Sequence, residues 1–295
     1  MEAAPRPAPS RAEIVHYLAV KAAEGVDVPQ DWARALDLLH RSAELGSRLA
    51  QAELAGLSGH WALAQDIFAG EAVAESQWSG LRSSIDLAKW LEPPSRPDLS
   101  EGPRIGVVEQ IAATEMCDWL VARARARLKP AKIKDRGTGE SNVSNLRTNS
   151  ACLFRRPDSD LIVAILRARM AEVTATRVAA MEIPSVLHYA EGQEFAPHYD
   201  ITINPDSPDY GDRLAKGDQR VLTFLIYLND DYEGGETEFP ALGERWKGRK
   251  GEGLFFWNVQ PNGALDERTL HAGLPVTKGE KWVLSQWVGG QPPKD

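Results

Sequence analysis

Cysteine is scarce in this sequence of 295 residues, and long apolar runs are missing from it. The two cysteines, Cys117 and Cys152, cannot form a disulfide framework, so we expect two buried free thiols in a reducing compartment. No stretch approaches the roughly 20 apolar residues that a membrane-spanning helix needs. The first residues, MEAAPRPAPSRAEI, lack the apolar core of a signal peptide. These absences predict a soluble, cytoplasmic protein with no membrane partner.

An excess of basic charge is also missing. The chain has 34 Lys and Arg against 42 Asp and Glu, for a formal net charge of −8. Proteins that bind a nucleic-acid backbone usually carry a basic surface, so no nucleic-acid partner is expected. The apolar content of 43% and charged content of 26% are those of an ordinary globular protein. The length allows one large domain or two smaller ones.

The N-terminal part, residues 1–90, is rich in alanine and leucine and is predicted to be helical. From Asp31 onwards the apolar residues recur along one face of a helix, and Gly46 provides a stop signal. Short amphipathic helices joined by glycines resemble Sel1-like or tetratricopeptide repeats, although no strict period is visible. A plain helical cap is an equally good interpretation. The segment 91–104 holds four prolines among polar residues, and we place a linker there.

Residues 105–295 begin with helices and end with strands. A short apolar strand, IGVVEQI, precedes a helix from Thr114, and a second helix is expected from about Ser159 to Thr174. Beyond Pro184, turn signals separate a series of strand-like segments. These are SVLHYA, RVLTFLIYL, TEFPAL, GLFFWNV and KWVLSQWV. The order predicts an α+β domain with flanking helices and a jelly-roll core of about six to eight antiparallel strands.

A candidate metal site starts from His198 and Asp200, which are two positions apart in the sequence HYD. On an extended strand such residues project from one face, so an imidazole and a carboxylate can reach one ion together. His271, in RTLHAGLPV, is the candidate third ligand, because a jelly roll can bring its strand alongside. Two histidines and a carboxylate are the ligand set of non-haem Fe(II) oxygenases, but zinc takes the same ligands with a water. This triad alone does not choose the metal.

A lysine favours iron over zinc. A dicarboxylate cosubstrate that chelates iron through its keto acid end leaves its other carboxylate inside the fold, where a Lys or Arg must pair with it. Lys281, in GEKWVLSQWV, lies at the start of an expected buried strand among apolar side chains. The alternative is a lysine at a strand entrance with its amine in solvent.

Four longer segments extend the comparison beyond single residues. They are RTNSACLF at 147–154, YAEGQEFAPHYD at 189–200, RVLTFLIYLNDDYEGGETEFP at 220–240 and LHAGLPVTKGEKW at 270–282. In order and spacing they resemble the catalytic domain of the prolyl 4-hydroxylase family of Fe(II)/2-oxoglutarate-dependent dioxygenases. The resemblance is strong from Leu146 to Gln286 and weak back to Pro103, about two-thirds of the chain. It implies a double-stranded β-helix for residues 105–295, preceded by the small all-α domain.

The resemblance also implies roles for the candidate residues. The triad would be the catalytic iron ligands, and Lys281 would pair with the distal carboxylate of 2-oxoglutarate. The hydroxyl groups of Tyr189 and Thr237 would donate hydrogen bonds to that carboxylate. Without the resemblance, Tyr189 is an ordinary strand aromatic and Thr237 follows a tight turn at Gly234 and Gly235. Fe(II), 2-oxoglutarate and O2 are the implied cofactor and cosubstrates, with ascorbate as a reductant.

Three substrate residues are implied as well. Arg220, before the strand RVLTFLIYL, would face a peptide, and Trp287 would wall the pocket for a proline ring. Otherwise Arg220 is a surface ion-pair partner and Trp287 a core residue. The family often has a tyrosine three residues before the first ligand, where this chain has Phe195. The phenylalanine keeps a flat apolar wall and loses the hydroxyl.

The implied function is hydroxylation of prolyl residues in a protein or peptide, so a proline-containing substrate is the expected partner. The loops 131–146 and 201–219 are long and irregular, and we expect them to close over this substrate. One alternative is a related oxygenase that acts on another side chain or on a free amino acid. Another is a non-catalytic peptide-binding protein on the same fold, which an intact triad with Lys281 argues against.

Overall fold

The computed structural model describes residues 8–70, 77–97, 99–100, 102–134, 141–142 and 144–290. Backbone proximity groups the chain into two compact units, Met1–Glu92 with Arg155–Arg169, and Pro93–Phe154 with Met170–Asp295. The division into domains 1–90 and 105–295 with the linker 91–104 stays a prediction, because proximity does not test independent folding. Within the described ranges no helix is both long and apolar enough to cross a membrane.

In the described residues of its N-terminal part, the first unit has six short helices. They are α1 (Arg11–Glu24), α2 (Trp32–Glu44), α3 (Arg48–Leu57), α4 (Trp61–Ala69), α5 (Trp78–Ser84) and α6 (Leu87–Leu91). Local sequence sets their ends: Ser10 and Glu13 form a capping box on α1, and Gly25 ends it in the left-handed conformation. The Asp31 carboxylate caps α2. The helix predicted from Asp31 is thus confirmed.

Buried polar contacts tie residues 155–169 to these helices within the first unit. The Glu53 carboxylate is fully buried and contacts His16 Nε2. The same carboxylate accepts a hydrogen bond of 2.8 Å from the backbone N–H of Leu161. Arg167 and Glu24 form a second buried ion pair. Since buried charges are costly without partners, these contacts hold the segment firmly.

The remaining helices and strands follow in chain order. The helices are α7 (Thr114–Arg125), α8 (Leu161–Thr174) and α9 (Tyr210–Ala215). The strands are β1 (Ile105–Val108), β2 (Lys129–Pro130), β3 (Ile133–Lys134), β4 (Ser141–Asn142), β5 (Ser150–Leu153), β6 (Ser185–Tyr189), β7 (Phe195–His198), β8 (Arg220–Tyr227), β9 (Glu233–Gly234), β10 (Thr237–Phe239), β11 (Glu244–Trp246), β12 (Gly253–Trp257), β13 (His271–Gly273), β14 (Val276–Lys278) and β15 (Lys281–Gly289).

Two main antiparallel sheets form the core of the second unit, and two short strand pairs, β9 with β14 and β3 with β4, accompany them in the described residues. The larger has seven strands in the order β1-β12-β8-β15-β6-β5-β2, and the smaller has four in the order β11-β10-β13-β7. A buried cluster joins side chains of both sheets, with Phe239 from β10 against Tyr227, Phe256 and Val283 of the larger sheet. The predicted α+β fold with a jelly-roll core and flanking helices is confirmed.

The two loops expected to cover a substrate have different outcomes. The segment 201–219 was expected to be irregular, but it contains the helix α9. The side chain of Gln219 closes this segment by accepting the N–H of Thr202 at 2.7 Å and donating to the carbonyl of Ile203. In 131–146, residues 135–140 and 143 lie outside the described residues, and β3 pairs with β4 across them. Closure of either loop stays a prediction.

Candidate active site

The predicted metal ligands come together because β7 and β13 pair in the smaller sheet. His198 ends β7 and His271 starts β13, and the two residues are direct cross-strand partners. Their rings lie 4.3 Å apart, centroid to centroid. Asp200 Oδ1 is 3.7 Å from His198 Nε2, and Asp200 Oδ2 is 3.5 Å from His271 Nε2. Among the described residues, this triad is the one cluster of ligand side chains close enough to share a metal ion.

Hydrogen bonds fix the tautomers of both histidines. His198 Nδ1 donates to the carbonyl of Ala196 at 2.8 Å, and His271 Nδ1 donates to the carbonyl of Thr269 at 3.0 Å. Burial first, and then the neighbouring His271, lowers the pKa of His198 to about 3. When neutral, each ring therefore presents its Nε2 lone pair towards the Asp200 carboxylate. Three acceptors facing one another repel unless they share a cation, so the donor set fits a divalent metal.

Lys281 lies on β15 as the cross-strand partner of Tyr189 on β6. Its side chain is buried, and its amine donates to the carbonyl of Gly235. The amine also lies 5.4 Å and 5.5 Å from the ring centroids of Tyr189 and Tyr227. Gly235 has a φ of +68°, a conformation that favours glycine and turns its carbonyl to the lysine. In the described part of the chain no carboxylate forms an ion pair with this amine.

A hydroxyl pair lies beside the lysine. Thr237 Oγ1 and the Tyr227 hydroxyl are 2.9 Å apart, and both residues are buried. Burial raises the pKa of Tyr189 to about 12, so its phenol keeps its proton and can donate. Sequence reasoning did not single out Tyr227. Thr223, Leu225 and Tyr227 occupy alternate positions of β8, so their side chains face the same side of the sheet.

One cavity reaches from the triad to Lys281. Eight of the nine predicted site residues line it: His198, Asp200, His271, Tyr189, Thr237, Lys281, Phe195 and Trp287. A metal centre at one end and a buried lysine amine with hydroxyl groups at the other suit an anion that also reaches the metal. Small-molecule binding beside a metal is therefore the chemistry that this cavity supports.

Comparison with known proteins agrees with this arrangement. The sequence profile of the 2OG-Fe(II) oxygenase superfamily matches residues 184–289. Probable prolyl 4-hydroxylase 3 of Arabidopsis thaliana is 33% identical over 209 residues, which cover 64% of this chain and 70% of that protein. Prolyl 4-hydroxylase 5 of the same plant is 33% identical over 218 residues, covering 68% of this chain and 71% of its own. The chain belongs to the prolyl 4-hydroxylase family.

A solved structure of this family has the same fold. The viral collagen prolyl hydroxylase vCPH from Paramecium Bursaria Chlorella virus-1, in complex with 2OG, is 26% identical. It superposes with a TM-score of 0.50 and covers 65% of this chain and 99% of its own. As a family member, the protein is an Fe(II)- and 2-oxoglutarate-dependent dioxygenase that uses O2. The residues that fit the metal are the triad, and those that fit the distal carboxylate surround Lys281.

The three predicted substrate residues of this prolyl 4-hydroxylase family member differ in whether they line the cavity. The ring of Phe195 stacks on the ring of His198, with centroids 3.5 Å apart and planes 15° apart. Trp287 lines the cavity. Arg220 does not line it: its guanidinium lies 3.7 Å over the Trp287 ring and forms two hydrogen bonds with Glu182. The predicted Arg220 contact with a peptide remains a prediction, and the observed partners of its charge are on this chain.

Arg147 is a further cavity residue that sequence reasoning left without a role. Its guanidinium lies 4.6 Å from the centroid of the Phe195 ring and donates to Asn149 Oδ1 at 3.1 Å. Burial lowers its pKa, although the residue stays charged at neutral pH. The segment RTNSACLF was recognised as a motif, but its arginine becomes a site residue only through the bridge between Arg147 and Phe195.

Proposed function

We propose that this dioxygenase hydroxylates prolyl residues of a protein or peptide. The observation that carries the proposal is the aromatic wall of Phe195 and Trp287 in the cavity that also holds the triad and Lys281. Aromatic side chains that line a cavity suit an apolar, puckered ring with no hydrogen-bonding group to satisfy. The relatives named as prolyl 4-hydroxylases support the same substrate class.

The residues around the cavity have different proposed roles. Bound Fe(II) and 2-oxoglutarate supply, with O2, the oxidising power for a C–H bond. The triad holds the metal through two histidine Nε2 atoms and the Asp200 carboxylate. Lys281, Thr237 and Tyr189 bind the distal carboxylate. Phe195 and Trp287 exclude water and orient the substrate ring, which keeps the target C–H bond near the metal.

Three further elements belong to this proposal. Ascorbate is proposed as the reductant that restores the metal after turnover without substrate. The helical N-terminal part is proposed to help recruit a protein substrate, because paired helices of this kind form peptide-binding surfaces in helical repeats. A reducing, cytoplasmic setting is proposed because the chain has only two cysteines, too few for a disulfide framework, and both are buried.

The test measures succinate formation and substrate oxidation together. Purified protein with Fe(II), 2-oxoglutarate, O2 and a library of proline-containing peptides should produce succinate and peptides heavier by one oxygen atom. Peptides with alanine in place of proline should remain unmodified. The variant His271→Ala removes a ligand and should give neither product, as the control for metal-dependent turnover.

Each outcome of this experiment decides something. Succinate without peptide oxidation, or oxidation of the alanine peptides, would replace prolyl residues by another side chain or a free amino acid as the substrate. No succinate under any condition would favour a non-catalytic peptide-binding protein. Normal turnover by His271→Ala would remove that residue from the site.

A further inference from the structure

A chain of two buried hydrogen bonds leads from outside the triad to its carboxylate. Thr223 Oγ1, on β8, donates to Asp200 Oδ2 at 2.9 Å. Asn258 Nδ2, directly after β12, donates to Thr223 Oγ1 at 3.1 Å. Thr223 and Asn258 are at most 1% exposed, so water does not compete for either contact.

Two hydrogen bonds of its own backbone, at the N–H and at the carbonyl, hold Asn258 in place. Its N–H donates to the carbonyl of Val221 at 2.8 Å, and its carbonyl accepts the N–H of Asp266 at 3.0 Å. The first contact joins the end of β12 to the start of β8, the strand that carries Thr223. The amide and the hydroxyl are therefore mounted on two adjacent strands of the larger sheet.

The chemistry of the three groups sets the direction of this chain. An ionised carboxylate only accepts hydrogen bonds, and an amide N–H only donates them. The single proton of the Thr223 hydroxyl therefore goes to Asp200, and its lone pair receives the Asn258 N–H. A hydrogen bond to a charged acceptor is about twice as strong as a neutral one, which favours this direction over its reverse.

We infer that Thr223 and Asn258 are positioning residues that fix the Asp200 carboxylate for metal binding. Each Asp200 oxygen lies within 3.7 Å of a histidine Nε2, so a small rotation of the carboxylate would spoil the convergence of the donors. Groups that hold a metal ligand in place typically change metal affinity by about 10–100-fold when removed. The inference rests on the metal site of the proposed function and is independent of the prolyl substrate.

A purely structural role explains the arrangement less well. Asn258 Oδ1 is buried and has no hydrogen-bond partner among the described residues. Leaving an acceptor unpaired is costly, and an apolar side chain of similar size would avoid that cost. The amide N–H instead reaches Thr223 and, through it, the metal ligand.

The test measures the dissociation constant of Mn(II) alone, by the electron paramagnetic resonance signal of free Mn(II), on the full chain without 2-oxoglutarate or peptide. Thr223→Val keeps the shape and removes the hydroxyl, and it should weaken Mn(II) binding by about 10–100-fold. Thr223→Ser keeps the hydroxyl and should restore binding to within about threefold of the original protein. The absorption bands of bound Co(II) should shift in Thr223→Val and return in Thr223→Ser.

The matched control is Thr174→Val in the last turn of α8. It removes another buried hydroxyl, which donates to the carbonyl of Met170 at 2.8 Å, and should leave Mn(II) binding and the Co(II) bands unchanged. If Thr223→Val does not fold, Asn258→Leu decides, because it removes only the outer donor and should weaken binding by at least about threefold.

The outcomes separate this inference from the proposed function. Unchanged Mn(II) affinity in folded Thr223→Val, or in Asn258→Leu, would overturn the inference while the metal site stands. If the original protein binds no Mn(II), the metal site itself fails, and with it the proposed function. An equal loss in Thr174→Val would show a general effect of removing buried hydroxyls and would also overturn the inference.

Discussion

The charge state of one side chain, Lys281, dominates the electrostatics of the site. The residue is 3% exposed, and its hydrogen-bond acceptor is a neutral backbone carbonyl. Burial lowers the pKa of its amine from the ordinary 10.5 to about 7. Because the neutral form is favoured in the ligand-free fold, this residue's contribution to the free energy of unfolding rises between about pH 7 and 10.5 and is at its lowest below that window. An anionic ligand would reverse the preference.

We therefore expect 2-oxoglutarate binding to take up a proton. The ligand carboxylate favours the charged amine, so above about pH 7 affinity should fall by up to about tenfold per pH unit. Calorimetry of metal-loaded protein, in buffers with different ionisation enthalpies, measures both the affinity and the proton count. Lys281→Arg stays charged and should remove this pH dependence. Lys281→Met should cost about 2–5 kcal/mol of binding below about pH 7, and its difference from the original protein should shrink at higher pH. A flat pH profile in the original protein would contradict a neutral amine in the free site.

At single positions, sequence reasoning found residues whose type is unusual for their surroundings. His198 and Asp200 are polar partners at strand spacing, and Lys281 is a cation in an apolar strand. Tyr227 and Thr223 escaped notice because tyrosine and threonine are ordinary in a strand. Their roles depend on register: β8 pairs with β15 so that Thr223 lies opposite Trp287 and Tyr227 opposite Val283. Such cross-strand pairing is not readable from one segment alone.

The strands were easier to predict from the sequence than the elements that pack against each helix. Segments such as KWVLSQWV and RVLTFLIYL became β15 and β8 because apolar, β-branched and aromatic runs bounded by turns have few alternatives. The helix α8 was also predicted, but with one apolar face. In the structure its first six residues, from Leu161 to Leu166, are all buried. A helix that is apolar all round packs on several sides, and its sequence does not say which elements cover it.

The buried ion pair at α8 gives a prediction for this element. The side chains of Arg167 and Glu24 are 7% and 1% exposed, and they contact each other directly. Arg167→Met should lower the free energy of unfolding by about 3–5 kcal/mol, because it leaves a carboxylate buried without its partner. Denaturation in urea, followed by tryptophan fluorescence, measures the loss.

The double variant Glu24→Leu with Arg167→Met is the matched control for that loss. It removes both charges, and it should recover most of the stability, since the penalty comes from the unpaired charge more than from the missing contact. Arg156, at 3.4 Å from Glu24, should reduce the loss but not abolish it, because its own side chain is 37% exposed. If Arg167→Met unfolds at the urea concentration of the original protein, the pair contributes little.

At the scale of the whole chain, the two units are not continuous in sequence. Residues 155–169 interrupt the second unit in sequence but group with residues up to Glu92. Within the first unit, Glu53 accepts the N–H of Leu161 at the start of α8, and the ion pair of Glu24 holds Arg167 further along. Sequence texture placed one boundary at the proline-rich segment 91–104. It had no means to detect a later segment that belongs with the earlier helices, because that pairing is long-range.

A chain that starts at Pro93 tests this organisation. It retains every residue of the cavity, but Arg167 loses Glu24 of α1, and the N–H of Leu161 loses Glu53 of α3. Several buried contacts are lost together, so we expect the melting temperature to fall by more than about 10 °C. Circular dichroism during heating measures the transition, and Mn(II) binding at low temperature reports on the site. A chain that starts at Pro9 retains the capping residues of α1 and should melt like the full protein. Equal melting temperatures for the Pro93 chain and the full protein would instead show that the N-terminal helices form a domain whose removal leaves the dioxygenase intact.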